Sequence, residues 1–176
     1  MKNKLRASSL ALLLLGVCTI AGLSASMLSR SSSVQAAQKE TPMTQHATGP
    51  FDVKLTPLDP AFKTEDTSIA RMSIDKQFHG DLEAISKGEM LSAGTSVKGS
   101  AGYVAIERVS GSLHGRTGSF ILQHNATMTR GTPQLNIIVV PDSGTGQLQG
   151  LTGTMNIIIT NGKHSYDFAY TLPSAN

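Results

Sequence analysis

Glu107 and His124 are the two residues best suited to acid–base chemistry, and each occurs on a strand-like segment among apolar residues. In segment 103–109, apolar and polar residues alternate, and the glutamate shares its face with Tyr103. In segment 120–128, the histidine alternates in phase with large apolar residues. If these two faces line an enclosed interior, burial raises the pKa of the carboxyl group unless a cationic or hydrogen-bonding partner compensates. We therefore expect a glutamate–histidine pair that anchors a polar ligand or acts as an acid/base pair.

The opposite assignment of the faces is equally compatible with the alternation. Val104 and Ile106 are also apolar and lie on the other side of the same segment. A shift of one residue inverts every side chain of a strand, which would place Glu107 and His124 in solvent. Arg108 is a second candidate partner for the carboxylate.

Aromatic residues recur at every second position near the end of the chain, at Tyr166, Phe168 and Tyr170. Such a stripe is typical of a packed core, and it also suits the wall of a cavity that binds a flat or apolar molecule. The candidate ligand-binding residues are therefore the aromatic residues together with the acid–base pair: Tyr103, Glu107, His124, Tyr166, Phe168 and Tyr170.

Other chemistries find no support in the sequence. His79, His114, His124 and His164 show no i, i+2 spacing that would place two imidazoles on one strand face, so we expect no metal site. The chain has no G-x-S-x-G, H-E-x-x-H or P-loop motif, and its glycines do not match the dinucleotide spacing. No cofactor is expected.

The first 36 residues have the pattern of a secretory signal. Lys2, Lys4 and Arg6 precede an apolar run over 10–23, and small residues follow near Ala36, where we expect cleavage. Two alternatives remain: an uncleaved membrane anchor, and a lipoprotein box at 15–18. The favoured hypothesis is an exported, periplasmic or extracellular protein with no membrane span after cleavage. The only cysteine, Cys18, lies within this signal.

Charge argues against nucleic acid as a partner. The chain carries 15 Lys and Arg against 12 Asp and Glu, but four of the basic residues and none of the acidic ones lie in the first 36. The remainder has 11 basic and 12 acidic residues, a net charge of −1. A near-neutral domain lacks the basic surface that nucleic-acid binding requires.

The rest of the chain predicts one all-β domain over 51–173, after a flexible lead-in over 37–50. Glycine-bounded runs with period-two or continuous apolar character favour a small closed antiparallel barrel of about eight strands. Asn161-Gly162 is the strongest hairpin signal. A G-x-L-x-G-x-T-G-[ST]-[FM] pattern occurs at 111–120 and 146–155, which we interpret as two equivalent barrel corners. The strand-like runs are 51–55, 69–78, 81–85, 89–93, 103–109, 120–128, 135–140, 155–160 and 164–172.

Several motifs resemble those of the bacterial domain-of-unknown-function family 3224. They are K-Q-F-H-G-D-L at 76–82, the segments 99–107 and 111–124, P-D-S-G-T-G at 141–146, and H-S-Y-D-F at 164–168. The resemblance covers residues 70–173 and implies a small barrel similar in fold to allene oxide cyclases, but no activity. Small barrels of this type often associate, so the resemblance also suggests a homo-oligomer.

Three functional hypotheses follow. The first is an exported β-barrel that binds a small apolar or amphipathic ligand. The second is an isomerase or cyclase that uses the glutamate–histidine pair. The third is a structural or interaction domain whose barrel is filled by side chains. The space inside the barrel distinguishes them.

Overall fold

Eight β-strands form one closed antiparallel barrel, as the sequence predicts. The structure, a computed structural model, describes residues 43–59 and 69–173. Each strand pairs with the next one along the chain, and the last pairs with the first. The strands are β1 Gln45–Leu58, β2 Ile69–Phe78, β3 Leu82–Gly94, β4 Ala101–Leu113, β5 Arg116–Thr129, β6 Thr132–Val139, β7 Thr152–Thr160 and β8 Lys163–Thr171, with a short 3-10 helix at Gly146–Leu148 between β6 and β7.

The exposure of successive residues along β4 shows which face of the strand lies inside the barrel. Glu107 is 0% exposed, whereas its neighbour Ile106 is 51% exposed. His124 of β5, at 3% exposure, also lies inside. The face that carries the acid–base residues is therefore the interior face, and the alternative in which both lie in solvent is excluded.

Two-residue turns join several of the strands. Asn161 and Gly162, between β7 and β8, have φ values of 53° and 74°. Positive φ at both central residues is the requirement of a type I′ hairpin turn, which asparagine and glycine satisfy with little strain. The hairpin predicted at this dipeptide is confirmed.

Strand β3 is one continuous strand rather than the two that the sequence predicts. Gly88 lies in its middle and pairs with Glu107 of β4. A Cβ atom at this glycine would collide with the Ile106 carbonyl oxygen and the Glu107 backbone. The glycine therefore allows a close approach of two strands at the buried carboxylate, and it does not mark a strand boundary.

The two copies of the internal repeat have different structures, so the prediction of equivalent corners is wrong. The first copy forms the hairpin between β4 and β5, whereas the second begins with the 3-10 helix. The helical segment lies against the start of β5, where the Thr145 N–H donates to the Ser119 carbonyl oxygen at 2.8 Å. Leu148 of the helix and Leu151, just before β7, are buried and belong to the hydrophobic core cluster.

The N-terminal boundary of the barrel also differs from the expectation. β1 begins at Gln45, inside the segment expected to be a flexible lead-in, and Ala47 is fully buried opposite Phe168 of β8. Pairing with β8 closes the barrel, and this constraint is not visible in the local sequence. The predicted signal over 1–36 and the beginning of the lead-in lie outside the described residues.

The barrel has two unlike ends. We call one the aromatic end, which contains buried Phe78, Phe120, Tyr166, Phe168 and Tyr170. We call the other the mouth, where the interior side chains are mainly apolar and, apart from the buried Ile74, partly or largely exposed: Val53, Leu55, Met90, Tyr103, Leu135, Ile157 and Ile159.

The outside of the barrel also carries exposed apolar side chains, among them Leu91 and Val104. The homo-oligomer stays a prediction. Within the described ranges, no helix has the length and apolar character needed to cross a bilayer.

Candidate functional site

The aromatic stripe of β8 is packed into the aromatic end. Tyr166, Phe168 and Tyr170 are each no more than 1% exposed. Phe168 stacks on Phe120 and on Tyr170, with ring centroids 5.6 Å and 5.3 Å apart. These three predicted ligand-binding residues therefore lie in a filled part of the barrel, away from the mouth.

The hydroxyl group of Tyr166 has its hydrogen-bonding capacity used within the protein. It donates to the His79 carbonyl oxygen at 3.0 Å and accepts the Leu82 N–H at 2.8 Å. Burial raises the pKa of Tyr166 to about 12, against the opposing effect of the Leu82 N–H. Tyr166 thus links β8 to the connection between β2 and β3, and its hydroxyl group stays protonated at neutral pH.

The centre of the barrel holds a buried polar cluster around Glu107. The carboxylate oxygen Oε1 contacts both Lys76 Nζ, at 2.7 Å, and His124 Nε2, at 2.8 Å. The other oxygen, Oε2, accepts a hydrogen bond from the Ser86 hydroxyl group. Four strands, β2 to β5, thus supply one side chain each to what we call the polar cluster: Lys76, Ser86, Glu107 and His124.

The electrostatic balance of the polar cluster favours the carboxylate form. Burial alone would raise the pKa of Glu107, but the hydrogen bond from His124 and the positive charge of Lys76 outweigh burial and lower the pKa to about 2. Glu107 is therefore ionised, and it holds the ammonium group and the imidazole in fixed positions.

The sequence predicts Glu107 and His124 as site residues, whereas Lys76 and Ser86 are not among the predicted ones. Lys76 has a usable signal, because it alternates in phase with Ile74 and Phe78 on the face of β2 that turns inward. Ser86 falls in the gap between the two strands predicted in place of β3. Arg108, the other candidate partner, points away from the carboxylate and donates to the Ser119 hydroxyl group at 2.7 Å.

A cavity of about 240 Å³ occupies the mouth. Lys76 and His124 of the polar cluster line it, whereas Glu107 lies behind them. A second hollow of about 250 Å³ shares Met90, Tyr103 and Leu135 with the first. The mouth is thus an apolar recess with an ammonium group and an imidazole at its floor. The other lining residues of the first cavity are Phe51, Val53, Leu55, Ile74, Met90, Tyr103, Leu135, Ile157, Ile159 and His164.

Tyr103 stands on the wall of the mouth beside the polar cluster. Its ring lies 6.3 Å from the His124 ring, centroid to centroid. Burial raises the pKa of Tyr103, and the negative charge of Glu107 raises it further, so the hydroxyl group stays protonated at neutral pH and can donate a hydrogen bond. Of the six predicted site residues, the structure brings together Tyr103, Glu107 and His124.

The remaining histidines are dispersed. His79 and His114 lie near carboxylates at the aromatic end, 3.6 Å from Glu83 and 3.5 Å from Asp81 respectively. His164 packs against Phe51 at the mouth, with centroids 5.3 Å apart. Across residues 43–59 and 69–173, no three His, Cys, Asp or Glu side chains converge in a way that would hold a metal ion.

Comparison with known proteins agrees with this barrel. The family model described as "protein of unknown function (DUF3224)" matches residues 47–170. A crystal structure of a protein with unknown function from the DUF3224 family, from Shewanella oneidensis MR-1, is 55% identical. The match covers 76% of this chain and 100% of that one, with a TM-score of 0.71. Comparison with curated proteins gives no match. The family resemblance is thereby confirmed, and the chain belongs to the DUF3224 family of proteins of unknown function.

Proposed function

We propose that this protein binds a small amphipathic molecule in the mouth, with its apolar part against the barrel wall and its polar part on the floor. The observation that carries this proposal is the cavity of about 240 Å³ whose apolar lining ends at Lys76 and His124. Ligand sites are typically apolar recesses in which a few polar groups converge to set orientation.

The size of the recess limits the ligand. Drug-sized ligands occupy pockets of about 300–1,000 Å³. The mouth cavity, at about 240 Å³, suits a smaller molecule, and the adjoining hollow extends the space toward Met128 and Pro133. Partly exposed apolar side chains at the rim, such as Leu55 and Ile159, are positioned to gain contacts when a ligand covers them.

The two other hypotheses fit the geometry less well. A barrel filled entirely by side chains agrees with the packing of the aromatic end, but it does not account for the cavity at the mouth. An acid/base enzyme that works between Glu107 and His124 needs room there for a reacting group, and these side chains bond directly at 2.8 Å. The direct bond favours a role for Glu107 in positioning Lys76 and His124 for a ligand.

Export from the cytoplasm is the second part of the proposal. Its support is the order of positive charge, apolar run and small residues before Ala36. We expect the mature protein to begin at Ala37, which N-terminal sequencing of the protein from a periplasmic or culture fraction tests. An intact Met1 in that fraction, or a purely cytoplasmic protein, contradicts this part.

A tryptophan reporter tests ligand binding directly, because the chain contains no tryptophan. Leu135→Trp places the reporter on the lining of the mouth, where Leu135 is 40% exposed. Ile85→Trp is the matched control, since Ile85 is 48% exposed and lies outside the mouth lining. Octanol, octanoate and octylamine serve as probes with one apolar chain and three different polar ends.

We expect saturable changes in tryptophan emission at position 135 with at least one probe, and no saturable change at position 85. Equal responses at both positions indicate nonspecific association with the barrel surface and contradict the proposal. The absence of a response to all three probes at position 135, with unfolding curves that show a folded variant, also contradicts it.

A further inference from the structure

We propose that the ligand of the mouth is a monocarboxylate and that the floor takes up a proton when it binds. This inference rests on the proposed function and deepens it, because it specifies the polar end of the ligand. It follows from two features of the polar cluster: the unused donors that face the cavity and the formal charge of the floor.

Most of the unused hydrogen-bonding capacity at the floor consists of donors; the exception is the lone pair of His124 Nδ1 while the imidazole is neutral. Lys76 Nζ carries three N–H groups and spends one on Glu107, its sole hydrogen-bond partner within the described part of the chain. The rings of Phe51 and Phe78 lie 5.4 Å and 5.7 Å from Nζ and provide cation–π contacts but no acceptor. Tyr103 adds a hydroxyl group on the wall. A ligand that satisfies these donors presents oxygen acceptors and no competing cation.

The carboxylate of Glu107 cannot serve the ligand as an acceptor. Its two oxygens already accept from Lys76, His124 and Ser86, and its exposure is 0%. An ammonium ligand would therefore face Lys76 with no accessible negative group. The geometry excludes cationic ligands and favours anionic ones.

The charge balance links carboxylate binding to a proton. With a neutral imidazole, Lys76 and Glu107 cancel, so a second buried carboxylate would leave one uncompensated negative charge. His124 bonds to Glu107 through Nε2 and lines the cavity, and Nδ1 is the atom that can take a second proton. Protonation there restores neutrality and gives the ligand another cationic partner.

Among the titratable groups on the described lining, His124 is the best placed to take up this proton. The lining contributed by β1, β6 and β7 is apolar. β2 supplies Lys76, β4 supplies Tyr103 and the Glu107 behind the wall, β5 supplies His124, and β8 supplies His164. His164 packs on Phe51 and has no hydrogen bond to Glu107 within the described residues, so it does not belong to the polar cluster.

Calorimetric titration of the protein with octanoate and octanol tests this inference. Measurements between about pH 6 and 8, the range in which histidine commonly changes charge, give the pH dependence. Buffers with different ionisation enthalpies give the proton count. At the low end of this pH range we expect octanoate to bind at least about tenfold more tightly than octanol. Binding should take up at most about one proton per ligand, and it should weaken as pH rises.

Two variants separate the charge of the floor from the shape of the mouth. Lys76→Met removes the ammonium group and is expected to abolish the preference for octanoate over octanol. His124→Gln keeps an N–H group for Glu107 but has no titratable nitrogen, so it is expected to bind octanoate without proton uptake. The matched control is Lys87→Met, because Lys87 is exposed and pairs with Asp75 at 3.2 Å outside the mouth lining. This control should retain both the preference and the proton uptake.

The outcomes distinguish this inference from the proposed function. Equal binding of octanol and octanoate, preference for octylamine, or octanoate binding without proton uptake overturns the inference and leaves the ligand-binding mouth intact. Failure of all three probes, both in calorimetry and with the Leu135→Trp reporter, overturns both. A loss of folding in Lys76→Met leaves His124→Gln to decide, through its proton count.

Discussion

The aromatic end and the mouth are built from the same eight strands, yet they use polar groups in opposite ways. At the aromatic end, the Tyr166 hydroxyl group both donates to and accepts from the backbone, and the surrounding rings are no more than 1% exposed. At the mouth, Lys76 and Tyr103 face a cavity with donors that the described residues do not use. The comparison indicates that one end stabilises the barrel and the other is available for a ligand.

The largest difference between the ends should appear on truncation of an apolar side chain. Phe168→Ala removes a fully buried ring that stacks on two others, and we expect it to lower the free energy of unfolding by about 3–5 kcal/mol. Leu135→Ala at the mouth removes a side chain that already contacts solvent, so the loss should be below about 1 kcal/mol. Denaturant unfolding measures both values. Comparable losses would remove the distinction between a filled and an open end.

Removing one charged member of the polar cluster should destabilise the protein more than replacing both charged members by apolar residues. Glu107→Leu leaves the buried ammonium group of Lys76 without its partner, and loss of one member of a buried ion pair costs about 3–5 kcal/mol. In the double variant Lys76→Met, Glu107→Leu no buried charge remains, so we expect it to be more stable than Glu107→Leu alone. A double-mutant cycle by denaturant unfolding measures the coupling. Additive losses would show that Lys76 and Glu107 act independently.

The sequence predicts most of the barrel because strand faces follow a strict period of two. That period puts Glu107 and His124 in phase with apolar residues and also contains the signal for Lys76 on β2, but only the exposure in the structure decides that these faces are the interior ones. It fails at Gly88, where glycine in a strand indicates close approach instead of a boundary. The position of each residue along the barrel axis depends on long-range register, which the local sequence does not contain. In the sequence, the aromatic stripe of β8 is therefore a candidate for the wall of a ligand cavity, whereas in the structure it lies in the filled end.

Acid titration should distinguish the buried carboxylate from those on the surface. The pKa of Glu107 is lowered to about 2 from an ordinary 4.5, so the folded state favours the charged form. The resulting stabilisation is present above pH 4.5 and is lost as pH falls from 4.5 toward 2; this shift corresponds to roughly 3 kcal/mol.

We therefore expect the stability advantage of the unmodified protein over Glu107→Gln to shrink by about that amount across this pH range. Asp75→Asn, which alters an exposed carboxylate paired with Lys87, is the control and should show a small change. Unfolding curves recorded at each pH provide the comparison. A difference between the unmodified protein and Glu107→Gln that stays constant with pH would contradict the assigned pKa direction.

The smallest expected effects come from two single-atom changes that separate stability from binding. Tyr166→Phe at the aromatic end removes an oxygen that serves His79 and Leu82, which leaves buried backbone groups unpaired and should cost about 1–3 kcal/mol. Tyr103→Phe at the mouth removes a hydroxyl group with no hydrogen-bond partner among residues 43–59 and 69–173, so unfolding should hardly change. If the mouth binds octanoate as proposed, Tyr103→Phe should weaken that binding about tenfold or less, whereas Tyr166→Phe should leave it unaltered. Thermal unfolding measures the stability of the two variants, and calorimetric titration measures their affinity for octanoate. A variant in which stability and affinity change together would mean that the two ends are energetically coupled.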